Sequence, residues 1–170
     1  MINEANRVFS HQELIDAMVD HLQRQGLAVY TEVPLPNRKI ADIVYLTSNG
    51  GIAIIEAKTD YRGYYLPQAY DKYASYCHYL ILVIPNGDPL SKYIPAPMTT
   101  WREHGDEIGV TAVDAAGVGV IRSPQVRTLP QARATSMRSY LLSRLAAGGL
   151  TPRNLPAPPE APRNKKDGSP

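Results

Sequence analysis

The stretch from Ile40 to Lys58 constrains this chain more than any other. Two apolar runs, Ile40-Ala41-Asp42-Ile43-Val44-Tyr45-Leu46 and Ile52-Ala53-Ile54-Ile55-Glu56, flank Thr47-Ser48-Asn49-Gly50-Gly51. Short β-branched runs around an Asn/Gly-rich turn read as a β-hairpin. Three charged residues interrupt it: Asp42 in the first run, Glu56 at the end of the second, and Lys58 just beyond. Charges in an apolar hairpin cost free energy unless something pairs with them.

Loop length decides where the charges point. If residues 47–51 form a five-residue loop, Leu46 faces Ile52, Val44 faces Ile54, Asp42 faces Glu56 and Ile40 faces Lys58. Opposed residues share a face, with Cβ atoms roughly 4.5–5.5 Å apart. Glu56 and Lys58, two apart on one strand, share it as well. A two-residue Asn49-Gly50 turn would instead set Asp42 against Ala57 and send it to the other face. Opposed carboxylates repel in a plain sheet. As a pair they are hard oxygen ligands suited to Mg2+ or Mn2+. The alternative is a solvated Glu56–Lys58 pair with Asp42 at a strand end.

The remaining elements follow from local signals. Ser10-His11-Gln12-Glu13 is a capping box that opens a helix over 11–25, with Leu14, Ile15, Met18, Val19 and Leu22 as its apolar stripe and Gly26 as its stop. A strand is expected over 27–33. Residues 60–66 read as a loop, and Pro67 suits the first turn of a helix running to residue 78. Further expectations are a buried strand over 79–84, an irregular stretch over 88–98 and a short helix over 99–103. A second hairpin over 108–113 and 118–122 turns at Asp114-Ala115-Ala116-Gly117, and a last helix covers 131–147. The order α-β-β-β-α-β, then hairpin and helix, implies an α/β domain with a mixed central sheet and flanking helices. Residues 1–147 form that single domain, and the Pro-rich basic stretch over 148–170 reads as a disordered tail.

Composition narrows the setting. No run reaches the roughly 18–20 apolar residues of a membrane span. The start Met1-Ile2-Asn3-Glu4 lacks the features of a secretory signal, and the single Cys77 excludes an intrachain disulfide. A cytoplasmic protein is expected. From Ala115 to Pro159 there is no acid, yet Arg122, Arg127, Arg133, Arg138, Arg144 and Arg153 occur. Such a segment either forms a positive surface suited to phosphate or lays its arginines over apolar surface. Tyr70, Tyr73 and Tyr76 recur at helical spacing and read as packing, whereas Tyr61, Tyr64 and Tyr65 are placed to stack on bases. His11, His21, His78 and His104 show no ligand spacing and read as surface residues.

With Asp42 and Glu56-Ala57-Lys58 at these places, the element order resembles the PD-(D/E)xK, or restriction-endonuclease-like, nuclease superfamily over residues 10–122. The stretch from Thr31 to Pro85 is similar to its small bacterial MmcB-type group linked to DNA repair, through Glu32, Lys39-Ile40-Ala41-Asp42, Glu56-Ala57-Lys58 and Asp71-Lys72-Tyr73. Ala41-Asp42 stands where the superfamily motif has Pro-Asp. The resemblance implies a restriction-endonuclease-like core and an endonuclease or exonuclease that hydrolyses DNA phosphodiesters with Mg2+, for which Mn2+ can substitute. Asp42, Glu56 and the Ala57 carbonyl would hold the metal, and Lys58 would orient the attacking water. Glu13 on the first helix would serve the metal or the water, against its simpler role in the capping box. Gln68 would bond phosphate or Lys58, competing with Asp71 and Lys72 for the part of the polar helix residue. Lys39, Tyr61, Arg62 and Lys72 would contact DNA. A homodimer fits cutting of both strands, which takes two sites. The competing reading is a catalytically silent module on the same fold that binds nucleic acid or protein.

Overall fold

The computed structural model describes residues 8–60, 65–87 and 107–146. The expected helix over 99–103, the irregular stretch over 88–98, Tyr61, Arg62, Tyr64, Trp101, Arg102, His104 and the tail over 148–170 lie outside them.

Helix α1 (His11–Arg24) opens with both bonds of the capping box. The Glu13 amide donates to Ser10 Oγ at 3.2 Å, and the Ser10 amide donates to Glu13 Oε2 at 2.8 Å. Strands β1 (Ala28–Pro34), β2 (Ile40–Leu46) and β3 (Ile52–Ala57) follow, then α2 (Tyr65–Tyr73), β4 (Tyr79–Pro85), β5 (Gly109–Asp114), β6 (Gly117–Arg122) and α3 (Gln131–Ala146). The strands form one six-stranded sheet in chain order. Its pairs are antiparallel, apart from the parallel β3–β4 and β4–β5 pairs. This is the mixed α/β fold with flanking helices that the element order implied, and it is consistent with a restriction-endonuclease-like core. No helix among the described residues is long and apolar enough to cross a membrane.

Each face of the sheet buries its own core. Leu14, Ile15, Met18, Val19 and Leu22 of α1 cover Val29, Ile43, Ile55, Ile81 and Val83. On the other face, Ala69 and Tyr73 of α2 and Met137 and Leu141 of α3 cover Val44, Ile52, Ile54, Leu80 and Leu82. Every residue of β3 is buried. A strand covered on both sides reads as a continuous apolar run, which explains why a charge at its end is conspicuous.

The β2–β3 connection is the five-residue loop, with Leu46 opposite Ile52 and Val44 opposite Ile54. The Thr47 amide donates to the Gly51 carbonyl at 2.8 Å, and the Gly51 amide returns to Thr47 Oγ1 at 2.8 Å. A Cβ on Gly51 would stand 2.7 Å from Thr47 Oγ1 and 3.0 Å from the Tyr79 ring, so glycine is needed there. The helix expected over 67–78 is shorter at its end: α2 stops at Tyr73, and a single 3-10 turn spans Ala74–Tyr76. His78, just before β4, is already tied to the start of β3, because its amide donates to the Ile52 carbonyl at 2.8 Å and its Nδ1 accepts the Ile52 amide at 3.0 Å. Helix and strand compete for that backbone, and the strand wins.

The arginines of the acid-free segment act as staples rather than as a free phosphate-binding stripe. Arg122 Nε donates to the Ile108 carbonyl, Arg127 to the Ala74 carbonyl and the Glu107 carboxylate, and Arg133 to the Ser75 carbonyl. Arg127 and Arg133 also cover the Tyr70 and Tyr76 rings. Arg138 gives the Gly50 carbonyl two hydrogen bonds, at 2.9 and 2.6 Å, and so ties α3 to the β2–β3 loop. The side chains of Arg144 and Arg153 lie outside the described residues. Charged donors on a backbone carbonyl are each worth about 1.5–3 kcal/mol. Arg138→Ala should lower unfolding free energy in urea by about 2 kcal/mol, and Arg138→Lys should recover part of it. An unchanged unfolding midpoint would mean that water serves the Gly50 carbonyl equally well.

Candidate functional site

The site forms where β2, β3, α1 and α2 meet. Glu56 sits on β3 with its neighbours Ile54 and Ile52 facing α2, and it is 4% exposed. Its carboxylate is fully engaged. Tyr73 Oη donates to Oε2 at 2.6 Å, and both Lys58 Nζ (2.9 Å) and Lys72 Nζ (3.3 Å) reach Oε1. Tyr73 Oη also lies 2.9 Å from the Ile40 carbonyl. Lys58 continues the line of β3, its amide donating to the Val83 carbonyl at 2.9 Å.

Asp42 arrives differently from the simple opposition expected of the hairpin. The β2–β3 ladder ends at Ile43 opposite Ile55. Ile43 packs on the α1 side, yet Ala41, two residues earlier, packs in the core on the α2 side. Strict alternation would put both on one face. Across the strand from Asp42, Glu32 has φ +52°, a left-handed conformation that few side chains adopt. Regular pleating thus breaks on both strands at this point. Glu56 and Lys58 are joined on the α2 side, and Asp42 lies close enough to Glu56 and Tyr73 for their charges to interact while its carboxylate also reaches the end of β3 and the start of α1. Asp42 Oδ2 accepts the Ala57 amide at 2.8 Å and stands 3.2 Å from His11 Nε2. Asp42 Oδ1 takes no hydrogen bond among the described residues.

The two carboxylates therefore have opposite electrostatics. Burial raises the Asp42 pKa, and the Glu56 charge adds to this. The Ala57 amide and His11 offset the rise only in part. Burial also opposes ionisation of Glu56, but the Tyr73 and Lys58 hydrogen bonds and the Lys58 and Lys72 charges outweigh it and hold its pKa below the usual range. Tyr73 is pushed far above the ordinary phenol, first by burial and then by donating to a carboxylate.

The other anticipated residues fall outside this cluster or at its margin. The Glu13 carboxylate closes the helix cap, on an exposed first turn. Gln68 is exposed, as are Asp71, Glu32 and Lys39. The α2 residue that reaches the carboxylate is Lys72, one turn beyond Gln68. Ala57 meets Asp42 through its amide. Tyr61 and Arg62 lie outside the described residues. Two members were missed. His11 carries no spacing signal, because its proximity to Asp42 depends on how α1 lies over the sheet. Tyr73 was read as packing, and it does pack, but its hydroxyl also fixes Glu56.

Among the described residues no three His, Cys, Asp or Glu side chains are grouped closely enough to hold a metal ion as they stand. The donor chemistry nonetheless suits a hard divalent cation: Asp42 offers an unbonded oxygen and is short of positive partners, and a second carboxylate is close enough to perturb it. Glu56 can contribute only if a lysine gives way.

The model of one family, described as "MmcB-like: DNA repair protein MmcB-like", matches residues 5–157. A solved structure, described as "SPO1766 protein of unknown function from Silicibacter pomeroyi", is similar with a TM-score of 0.62 and 21% identity, over 81% of this chain and 87% of that one. At that identity the likeness speaks for the fold alone. No curated protein matches the chain.

The opposed shifts give opposed pH signatures. Glu56, with a depressed folded pKa, contributes stability that is complete above the ordinary glutamate range and is lost as pH falls through the lowered value. Asp42, with a raised folded pKa, costs stability once pH climbs through the ordinary aspartate value and past its own. At pH 7, Asp42→Asn should therefore melt higher than wild type. Glu56→Gln should lose about 3–5 kcal/mol, a deficit that closes as pH falls through the depressed Glu56 value. Melting curves across pH 3–8 read both, and an Asp42→Asn variant melting at or below wild type at pH 7 would contradict this assignment.

Proposed function

The chain belongs to the MmcB-like DNA repair protein family, and on that premise we propose that it is a divalent-cation-dependent DNA nuclease of the PD-(D/E)xK type, centred on Asp42, Glu56 and Lys58. The observation that carries this reading is the pair of unlike carboxylates at the end of β3, one under-compensated and one bonded to a lysine at 2.9 Å. A cluster of this kind lowers stability at Asp42, a cost that a purely structural hairpin has no reason to bear.

Asp42 and Glu56, with the Ala57 carbonyl, would hold Mg2+ or Mn2+. When bound, such an ion polarises a phosphoryl oxygen and lowers the pKa of its water. The protein's own groups do the rest. The Ala57 amide fixes the Asp42 carboxylate, and Tyr73 fixes that of Glu56. Lys58 brings an ammonium to the reacting face, where it orients the attacking water and stabilises charge that builds on the phosphoryl oxygens. Water oxygen bonds to phosphorus, the bond to the leaving sugar oxygen breaks, and a proton goes to that oxygen. Charge balance favours this use. Asp42 and Glu56 against Lys58 and Lys72 sum to zero, so a divalent ion leaves the site positive, complementary to a phosphodiester. DNA is the partner, and a homodimer would supply the second site for a duplex.

One observation favours a second reading. Both Glu56 oxygens are already satisfied by Tyr73 and two lysines, which a nucleic-acid-binding module without catalysis would also accommodate. Incubation of purified protein with Mg2+ or Mn2+ and single-stranded, duplex or branched DNA separates the two. Cleavage is expected, and Lys58→Ala should reduce it about 10²–10³-fold. Absence of cleavage by wild type on every substrate, or full activity of Lys58→Ala, would remove the catalytic proposal. Salt-sensitive DNA affinity indifferent to metal would then support the binding module.

A further inference from the structure

Positive charge in the site is unevenly placed. Glu56 Oε1 receives two ammonium groups, Lys58 and Lys72, while Tyr73 already serves Oε2. Asp42, a neighbouring carboxylate, has only the Ala57 amide and the His11 ring. One ammonium is thus in excess on one carboxylate while the other is short of charge. Two like charges on a single oxygen repel each other. Of the two, Lys72 is the more distant from Oε1. Its backbone is held independently, because Asn37 Nδ2 donates to the Lys72 carbonyl at 2.8 Å. Its ammonium lies 5.8 Å from the Tyr73 ring centroid; its side chain is 32% exposed, much as that of Lys58 is at 30%, so the longer distance to Oε1 is what sets Lys72 apart. The backbone is pinned, and the ammonium has a path to solvent.

We propose that Lys72 is an exchangeable internal cation: it neutralises Glu56 in the free protein, gives way to the divalent ion, and then takes a DNA phosphate. This deepens the nuclease reading and rests on it. The consequence is coupling. Lys72 and the ion compete for one carboxylate, and occupation of the site by the ion makes the lysine available to the nucleic acid. Affinity for each is then raised by the other. Lys58, at 2.9 Å, stays with Glu56 and keeps its place at the reacting centre.

The test measures Mn2+ binding by calorimetry on the intact chain without DNA. Lys72→Met removes the charge and keeps the length of the side chain. It should bind Mn2+ at least about fivefold tighter than wild type, and Lys72→Arg should stay near wild type. Melting curves confirm that each variant is folded. In stopped-flow binding to single-stranded DNA, read before turnover, Lys72→Met should reduce the salt slope by about one with Mn2+ present and leave it unchanged without Mn2+. If Lys72→Met binds Mn2+ no more tightly than wild type while Glu56→Gln loses binding, the exchange is wrong and the metal site stands. If the slope falls equally without Mn2+, Lys72 contacts phosphate regardless of the ion and the exchange is again wrong. If wild type and Lys72→Met both fail to bind Mn2+, the metal site and the exchange fall together.

Discussion

A single buried carboxylate organises this end of the molecule. Glu56 closes a strand whose residues are all buried, so its charge must be matched from inside the protein. Unpaired burial of a carboxylate is too costly to survive in the ionised form. The match comes from three groups: Tyr73 and its neighbour Lys72 at the end of α2, and Lys58 on the strand's own continuation. These contacts set where α2 lies on the sheet. Tyr73 extends the arrangement to the start of β2 through the Ile40 carbonyl. The core around it, including Ala69 and Leu82, packs against a helix whose position the ionic cluster shares in fixing.

Asp42 shows the opposite economy of charge. Its carboxylate is held by one amide and one imidazole, and desolvation dominates its environment. Such under-compensation is typical of groups kept for a task rather than for stability. The distorted backbone around it agrees, since Glu32 occupies a left-handed conformation directly beside it. Local strain of this kind persists only where the surrounding structure over-determines it. Here the flanking Val33–Ala41 and Thr31–Ile43 pairs hold the strands together on either side.

Much of this was legible in the sequence. The capping box, the apolar stripe of α1 and the order of elements along the chain follow from periodicity and turn chemistry, and each appears as expected. Of the two loop lengths that the sequence allows, the five-residue one is present. What could not be read were features set by tertiary packing. Pattern rules assume regular pleating, and the break at Glu32 and Asp42 violates it. His11 meets Asp42 only because α1 crosses the end of the sheet. The acid-free arginine run gives no sign that its guanidinium groups seek backbone carbonyls in other elements, as Arg138 does at Gly50. Helix α2 ends early because the pairing of His78 with Ile52 lies outside any local window.

The central claim is that the unlike carboxylates at the end of β3 form a divalent-cation site. Anomalous diffraction from crystals soaked in Mn2+ tests it most directly. The expected result is an Mn2+ peak at Asp42 and Glu56, with the Lys72 ammonium displaced from Glu56. A soaked crystal with Mn2+ at other positions and none at these carboxylates, and with Lys58 and Lys72 both still on Glu56, would contradict it.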